Sequence, residues 1–318
     1  MSQEGPVWPG LPRGGERRDK RTRERERERE REHAPEGGSA ARGRTERAKT
    51  APRAPAAAPP QESAQRPRDP RRDELRVFGF NACLAAFAAR PDDLRKAYLS
   101  ASRMGALREL MAWCVQQRLG YRVVEEEDLA RLAGSQHHEG VVLDMRRPPE
   151  RALEPFLAGL DPRAPACLLW LDGVGNPHNF GALLRSAAHF GVAGVLLPQD
   201  SPLALSGAAC RVAEGGAEAV PLVRLGEESD AVATLRAAGF TLAATLPTRA
   251  QSLFDAALPA RTVFVMGAER EGMSSALLDR CGLRLTIPGS GRVESLNIAS
   301  AVAALLATWA LRCGEDSR

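Results

Sequence analysis

Beyond residue 165 the chain repeats one pattern: a short uninterrupted apolar run, then a stretch with helical period. Runs such as Cys167-Leu168-Leu169-Trp170-Leu171 and Val263-Phe264-Val265-Met266 have no polar residue at alternate positions. A strand of that kind must be covered on both faces. Strands are predicted at 167–171, 193–198, 220–224, 240–244, 262–266 and 284–287, and helices at 179–190, 228–238, 274–280 and 295–312. This alternation makes the fold class α/β, a parallel sheet with helices on both sides. Ligands of such sheets bind beyond the carboxyl ends of the strands.

Upstream, 75–148 reads as a small α/β domain. Val77-Phe78-Gly79-Phe80-Asn81-Ala82 opens it and an amphipathic helix runs through Ala89. A short strand at Ala97-Tyr98-Leu99 precedes a helix over Met104–Leu119, for which Gly120 suits the C-terminal cap. Strands follow at Tyr121–Val124 and Gly140–Met145, with a short helix at Glu127–Ala133 between them. Residues 146–164 hold four prolines, and 149–164 is taken as a linker. Residues 1–74 have neither a 3.6-residue nor a 2-residue hydrophobic period. Their Arg-Glu alternation (Arg21 to Glu32) and Ala/Pro tract predict a disordered tail.

Charge follows the same division. Residues 1–76 carry 20 basic and 14 acidic side chains, a net of +6; the remaining 24 basic and 26 acidic give −2. The overall +4 therefore belongs to the tail. The tail is either a solvated segment or a salt-sensitive tether to nucleic acid phosphates. The six cysteines form no C-x-x-C pair, and the five histidines show no metal-ligand spacing. No metal is expected, and the cysteines read as reduced core residues. The Arg- and Pro-rich N-terminal stretch has no secretory apolar region. The most apolar segment, Ile298–Leu311, is about 14 residues and too short to span a bilayer. A cytoplasmic protein without a membrane partner is the expectation.

Three loops after predicted strands stand out. Leu171-Asp172-Gly173-Val174-Gly175-Asn176-Pro177-His178-Asn179 begins like a dinucleotide fingerprint, but its third glycine position is His178. The ribose-binding acid expected about 20 residues on is also missing, which disfavours a nicotinamide oxidoreductase. No Gly-Lys-Ser/Thr makes it a P-loop. Asn179 is placed to cap the helix. Arg185 follows on a helix of small apolar residues, where it either snorkels to solvent or meets an anion. The second loop, Met266-Gly267-Ala268-Glu269, joins a glycine that permits close approach to an acid that could be a plain turn carboxylate. The third, Ile287–Asn297, is Gly-rich; Ser295 can cap the following helix, and Asn297 in its first turn suggests a hydrogen-bonding task.

Taken together, Asn179-x-Gly181-Ala182-x-x-Arg185-Ser186-Ala187, Val265-Met266-Gly267-Ala268-Glu269-x-Glu271-Gly272-Met273 and Ile287-Pro288-x-x-Gly291-x-x-x-Ser295-Leu296-Asn297-Ile298 resemble the three motifs of the SpoU (TrmH) branch of the SPOUT RNA methyltransferases. The likeness covers about 165–313. Residues 77–147, through Val77-x-Gly79-x-Asn81-Ala82 and His138-Glu139-Gly140-Val141, resemble the ribosomal-protein-L-thirty-like substrate-binding domain that precedes it in many members.

The resemblance implies transfer of a methyl group from S-adenosylmethionine to a ribose 2′-hydroxyl of rRNA or tRNA, a deep trefoil knot, and a homodimer with its site at the interface. It implies a cofactor pocket from loops near Ala244–Pro247, Met266–Glu269 and Ile287–Leu296, with Leu246, Met266, Gly267, Ile287 and Leu296 at cofactor-binding positions. Arg185 matches the catalytic arginine. Asn179 would orient it or the ribose, Glu269 would hold the arginine or substrate, and Ser295 and Asn297 would fix the third loop and the substrate. The segment Ala213-Glu214-Gly215-Gly216-Ala217-Glu218 departs from the family pattern by an added acid at 214. The alternative is an RNA-binding protein of ribosome assembly that keeps the fold with weak catalysis. His137 and His138, in the loop 134–140, are either RNA contacts or exposed loop residues.

Overall fold

The computed structural model describes residues 73–268 and 272–313. The expected tail lies outside the described residues except for Asp73 and Glu74. Glu74 is the first residue of a strand.

The small sheet holds β1 (Glu74–Phe78), β2 (Leu94–Leu99), β3 (Gly120–Val123) and β4 (Val141–Arg146), in the order β1-β4-β2-β3. β4 pairs antiparallel with β1 and β2, and β2 pairs parallel with β3. Helices α1 (Phe80–Ala89), α2 (Arg108–Gln116) and α3 (Glu126–Ala133) accompany it. Val77, Ala97, Leu99 and Leu143 face one core with Cys83, Ala86 and Leu110, while Phe78 and Val142 pack on Leu129 of α3. The expected α2 is shortened at both ends, and Gly120 is not its cap. The chain turns at Arg118, at a left-handed φ of 57°, which frees Gly120 to pair with Lys96.

The second sheet has eight strands, all paired parallel, in the order β10-β12-β9-β11-β6-β7-β8-β5. They are β5 (Arg151–Ala152), β6 (Ala166–Leu171), β7 (Gly194–Leu197), β8 (Leu222–Arg224), β9 (Thr241–Thr245), β10 (Gln251–Ser252), β11 (Arg261–Met266) and β12 (Leu283–Thr286). The apolar runs divide by strand period. On β6, Cys167, Leu169 and Leu171 enter one core, and Leu168 and Trp170 enter the other; on β11, Phe264 and Met266 oppose Val263 and Val265. The first core continues into the small domain, so both sheets share one apolar interior.

The helices are α4 (Leu153–Ala158), α5 (Pro177–His189), α6 (Gly207–Ala213), α7 (Gly216–Ala219), α8 (Glu228–Ala237), α9 (Ser275–Asp279) and α10 (Ile298–Cys313). The expected linker at 149–164 is structured: β5 extends the sheet beside β8, and α4 buries Leu153, Phe156 and Leu157. The Phe156 ring lies on Gly194, where an added Cβ would sit 2.7 Å from it. Pro155 is tolerated because it falls in the first helical turn, where no intrahelical donor is needed. α6, α7 and β10 answer to no expected element.

Among the described residues, no helix is long and apolar enough to cross a membrane, and no group of His, Cys, Asp and Glu could hold a metal ion. None of the cysteines is in a disulfide. Burial pushes the thiol of Cys210 up to about 12 and that of Cys281 to about 11. Such thiols are poor nucleophiles, as packed core cysteines are.

Candidate active site

β6 ends at Leu171, and its loop is pinned at once to the loop after β11. The Asp172 N–H donates to Met266 O at 2.8 Å. The Asp172 carboxylate, whose pKa is raised by burial, accepts from the Ser274 N–H, which opposes that rise. Gly173, at φ 79°, lies against Ala268; a Cβ there would come within 2.8 Å of the Ala268 Cβ. The first and second loops therefore meet at backbone distance. The second loop closes tightly on itself: Ala268 N–H donates to Gly272 O, and Gly272 N–H to Ala268 O, each at 3.0 Å. A Cβ on Gly267 would stand 2.6 Å from the Gly272 carbonyl carbon, so only glycine fits. Glu269 lies outside the described residues.

Asn176, not Asn179, caps α5. Its Oδ1 accepts from His178 N–H at 2.9 Å, with Pro177 at the first helical position. Asn179 is thereby released from the cap, and its Oδ1 accepts from Asn297 Nδ2 at 3.2 Å. Asn297, in turn, is itself the cap of α10, displacing Ser295 from that role. Its Oδ1 accepts from Ala299 N–H at 2.9 Å, and its carbonyl accepts from Ala301 N–H. Because a backbone N–H fixes the Asn297 oxygen, its amide nitrogen is the atom turned to Asn179. One asparagine pair thus ties the first motif to the third. Ser295 lies exposed two residues before the cap.

α5 buries Phe180, Leu183, Leu184 and Ala187. It approaches its neighbours through glycine: a Cβ on Gly181 would sit 2.6 Å from Ala209 O of α6, and one on Gly216 of α7 would sit 2.6 Å from Leu184 O. Arg185 projects from this rigid platform with 59% of its side chain exposed, and pairs with Glu214 at 3.1 Å. The anion that a lone arginine on an apolar helix calls for is supplied here by the acid that marks the departure at 214.

Of the residues expected at the cofactor, Leu246, Met266, Gly267 and Ile287 lie at the carboxyl ends of three adjacent strands, β12, β9 and β11, and Leu296 lies just before α10. Leu246 N–H donates to Leu285 O at 2.8 Å. Thr286 Oγ1 donates to Pro247 O at 2.9 Å, so the loop after β9 is held to β12. Thr245 Oγ1 donates to Val265 O at 2.9 Å and lies 3.2 Å from the sulfur of buried Met266. Ile287 packs on the core, whereas Val293 and Leu296 are exposed at 72% and 51%. Exposed apolar side chains in the third loop, together with strand-end main-chain groups, suit a ligand with a flat apolar ring and hydrogen-bonding edges.

Residues 166–307 match the model of the SpoU rRNA methylase family, and 76–151 match the RNA 2′-O ribose methyltransferase substrate-binding model. An uncharacterized tRNA/rRNA methyltransferase, YfiF of Escherichia coli O157:H7, is 38% identical over 75% of this chain and 68% of its own length. The chain belongs to the SpoU rRNA methylase family. A 23S rRNA (guanosine-2′-O-)-methyltransferase, RlmB of Nitrosomonas europaea, is 34% identical over 70% of this chain and 86% of its own. The fold is that of a Sinorhizobium meliloti rRNA methyltransferase solved with bound AdoMet. The TM-score is 0.65 at 21% identity, over 76% of this chain and 88% of that one.

Glu214 and Glu218 were the main functional-region contacts not assigned a role from sequence. The Arg90 guanidinium of the small domain holds the Glu218 carboxylate by two bonds, 2.7 and 3.0 Å, across to α7. The signal in the sequence was the double acid of the 213–218 segment.

Proposed function

We propose that this SpoU-family chain is an RNA 2′-O-ribose methyltransferase that uses S-adenosylmethionine. The observation that carries the reading is the joining of Asn179 to Asn297, which ties the helix that carries Arg185 to the start of α10. The cofactor supplies an activated methyl group on a sulfonium. Leu246, Met266, Gly267, Ile287 and Leu296 would hold it, the glycine by close backbone approach and the apolar side chains against its adenine.

What the protein must add is alignment of the ribose oxygen and help in removing its proton. An arginine does not take that proton, because its pKa exceeds about 12. Arg185 instead binds an RNA phosphate and directs the hydroxyl, and the phosphate assists the proton's departure. Asn179 and Asn297 orient the ribose, Ser295 supports the third loop, and Glu269 holds the arginine or substrate. The reading includes a trefoil-knotted sheet, a homodimer that completes the site, and a cytoplasmic location. The small domain selects rRNA or tRNA. A cleft in it of about 560 Å³, lined by Ser102, Arg103, Glu126, His137 and His138 among others, would receive part of the RNA. His138 is buried there, its Nδ1 accepting from Gly140 N–H at 3.2 Å.

The test is transfer of labelled methyl from S-adenosylmethionine to RNA from a deletion strain, with the product mapped as a 2′-O-methyl nucleotide. Full transfer by Arg185→Ala would remove the arginine from the mechanism. Absence of both transfer and S-adenosylmethionine binding by the intact protein would leave the fold as an RNA-binding scaffold.

A further inference from the structure

We infer that Glu214 is a built-in counter-ion of the active-site arginine, a specificity-determining residue whose place an RNA phosphate must take before methyl transfer. The inference rests on the methyltransferase reading of Arg185. Glu214 ends α6 at φ 45° and ψ 47°, the left-handed conformation. Glycine is the usual residue at such a helix end, because a Cβ there crowds the backbone. Gly215 follows, also at positive φ. The chain thus places a strained acid where a glycine is favoured, and its Oε2 lies 3.1 Å from the Arg185 guanidinium.

The backbones on each side leave the pair little freedom. Gly181 lies on Ala209, and Gly216 lies on Leu184 and Arg185, with would-be Cβ contacts of 2.6 to 3.0 Å. The guanidinium and the carboxylate therefore stay within reach of each other. Both remain open to solvent, at 59% and 41%, so a substrate can reach them. An exposed pair contributes only about 0–1 kcal/mol, so a well-placed phosphate with charge-assisted bonds displaces it. A poorly placed phosphate does not recover the lost pair. The acid weakens non-specific backbone binding and leaves the fitted complex favoured, which is specificity through a competing repulsive element.

The experiment compares the intact protein with Glu214→Gln and Glu214→Gly in methyl transfer to its RNA, and in RNA binding as a function of salt. Glu154→Gln, at an exposed carboxylate after β5 on the far sheet edge, controls for net charge. Both Glu214 variants should lower KM for RNA about two- to fivefold, with a smaller change in kcat. Each should steepen the salt dependence by up to about 0.7 per log unit, and narrow the preference for target over unrelated RNA. Glu154→Gln should do neither. An unchanged KM in Glu214→Gln, an equal change in Glu154→Gln, or a kcat loss of tenfold or more at constant KM would overturn the inference. Glycine is at ease in this conformation, so misfolding does not obscure the result. If the intact protein transfers no methyl group, the methyltransferase reading fails and takes this inference with it. If it transfers normally and only the Glu214 effects are missing, the inference fails alone.

Discussion

The Arg90–Glu218 pair should be the main polar lock between the small domain and the active-site platform. Its side chains are only 13% and 9% exposed. Arg90 Nη1 also donates to the Arg146 carbonyl at 2.5 Å and approaches Asp93 at 3.5 Å. Burial disfavours the charged guanidinium, but the carboxylates of Glu218 and Asp93 together more than offset this, and the pKa of Arg90 is raised. Removing one partner of a buried pair costs about 3–5 kcal/mol. In Glu218→Ala, Asp93 and the Arg146 carbonyl still serve Arg90, so the cost falls below that range, to about 2–3 kcal/mol. For a folded part of this size that lowers Tm by about 4–12 °C. Urea denaturation of Glu218→Ala, Arg90→Met and the double variant gives the coupling energy directly. The double variant should be less destabilised than the sum of the singles, because no charge is left buried alone. Glu218→Ala costing under about 0.5 kcal/mol, or strictly additive singles, would refute the lock.

Gly181→Ala should destabilise the protein by about 1–3 kcal/mol through overpacking against Ala209, and should lower methyl transfer beyond the loss of folded protein; fluorescence-monitored unfolding beside a turnover assay checks both. Asn297→Ala should lose about 1 kcal/mol of helix capping, whereas Asn297→Asp keeps the capping oxygen but loses the donor to Asn179. Stability restored by Asp without activity would confirm separate tasks, and equal activity in the two variants would contradict them. Asp172 has a raised folded pKa, so its charged form is disfavoured in the folded state and costs stability at neutral pH. That cost fades as pH falls through the folded pKa towards the unfolded value near about 3.9. Asp172→Asn, which can still accept from Ser274, should therefore be the more stable protein at pH 7, with the gap closing on acidification; a pH-independent gap argues against the assignment.

Apolar runs made the large sheet legible, because strands covered on both faces must be apolar at every position, as Ala166–Leu171 is. The linker was misread because its prolines outweighed a correct signal, the helical spacing of Leu153, Phe156 and Leu157. α6 escaped notice for a physical reason: Gly207, Ala208 and Ala209 carry little hydrophobic contrast. They are small because a Cβ on Gly207 would meet the Arg76 carbonyl at 2.4 Å. Close backbone packing erases the periodicity by which helices are read. The two helices that follow the first and third loops were legible, but their caps were each misplaced. Asn176 and Asn297 occupy the caps expected of Asn179 and Ser295, since local propensity names several eligible residues and tertiary contact chooses among them.

That choice has a consequence for the chemistry. Had Asn179 capped α5, its side-chain oxygen would have been spent on a backbone N–H and the first motif would be free of the third. With Asn176 in the cap, Asn179 holds Asn297, and the start of α5 is fixed to the start of α10. Arg185 lies six residues further along α5, fixed there by Gly181 and Gly216. A guanidinium set on an anchored helix loses little further freedom when it meets a phosphate, so more of the contact energy is available to orient the ribose. The body's net charge of −2 is then no obstacle to an RNA enzyme. On the proposed mechanism the charge that matters is that of Arg185, on a helix held by packing and paired with a counter-ion that the RNA phosphate would replace.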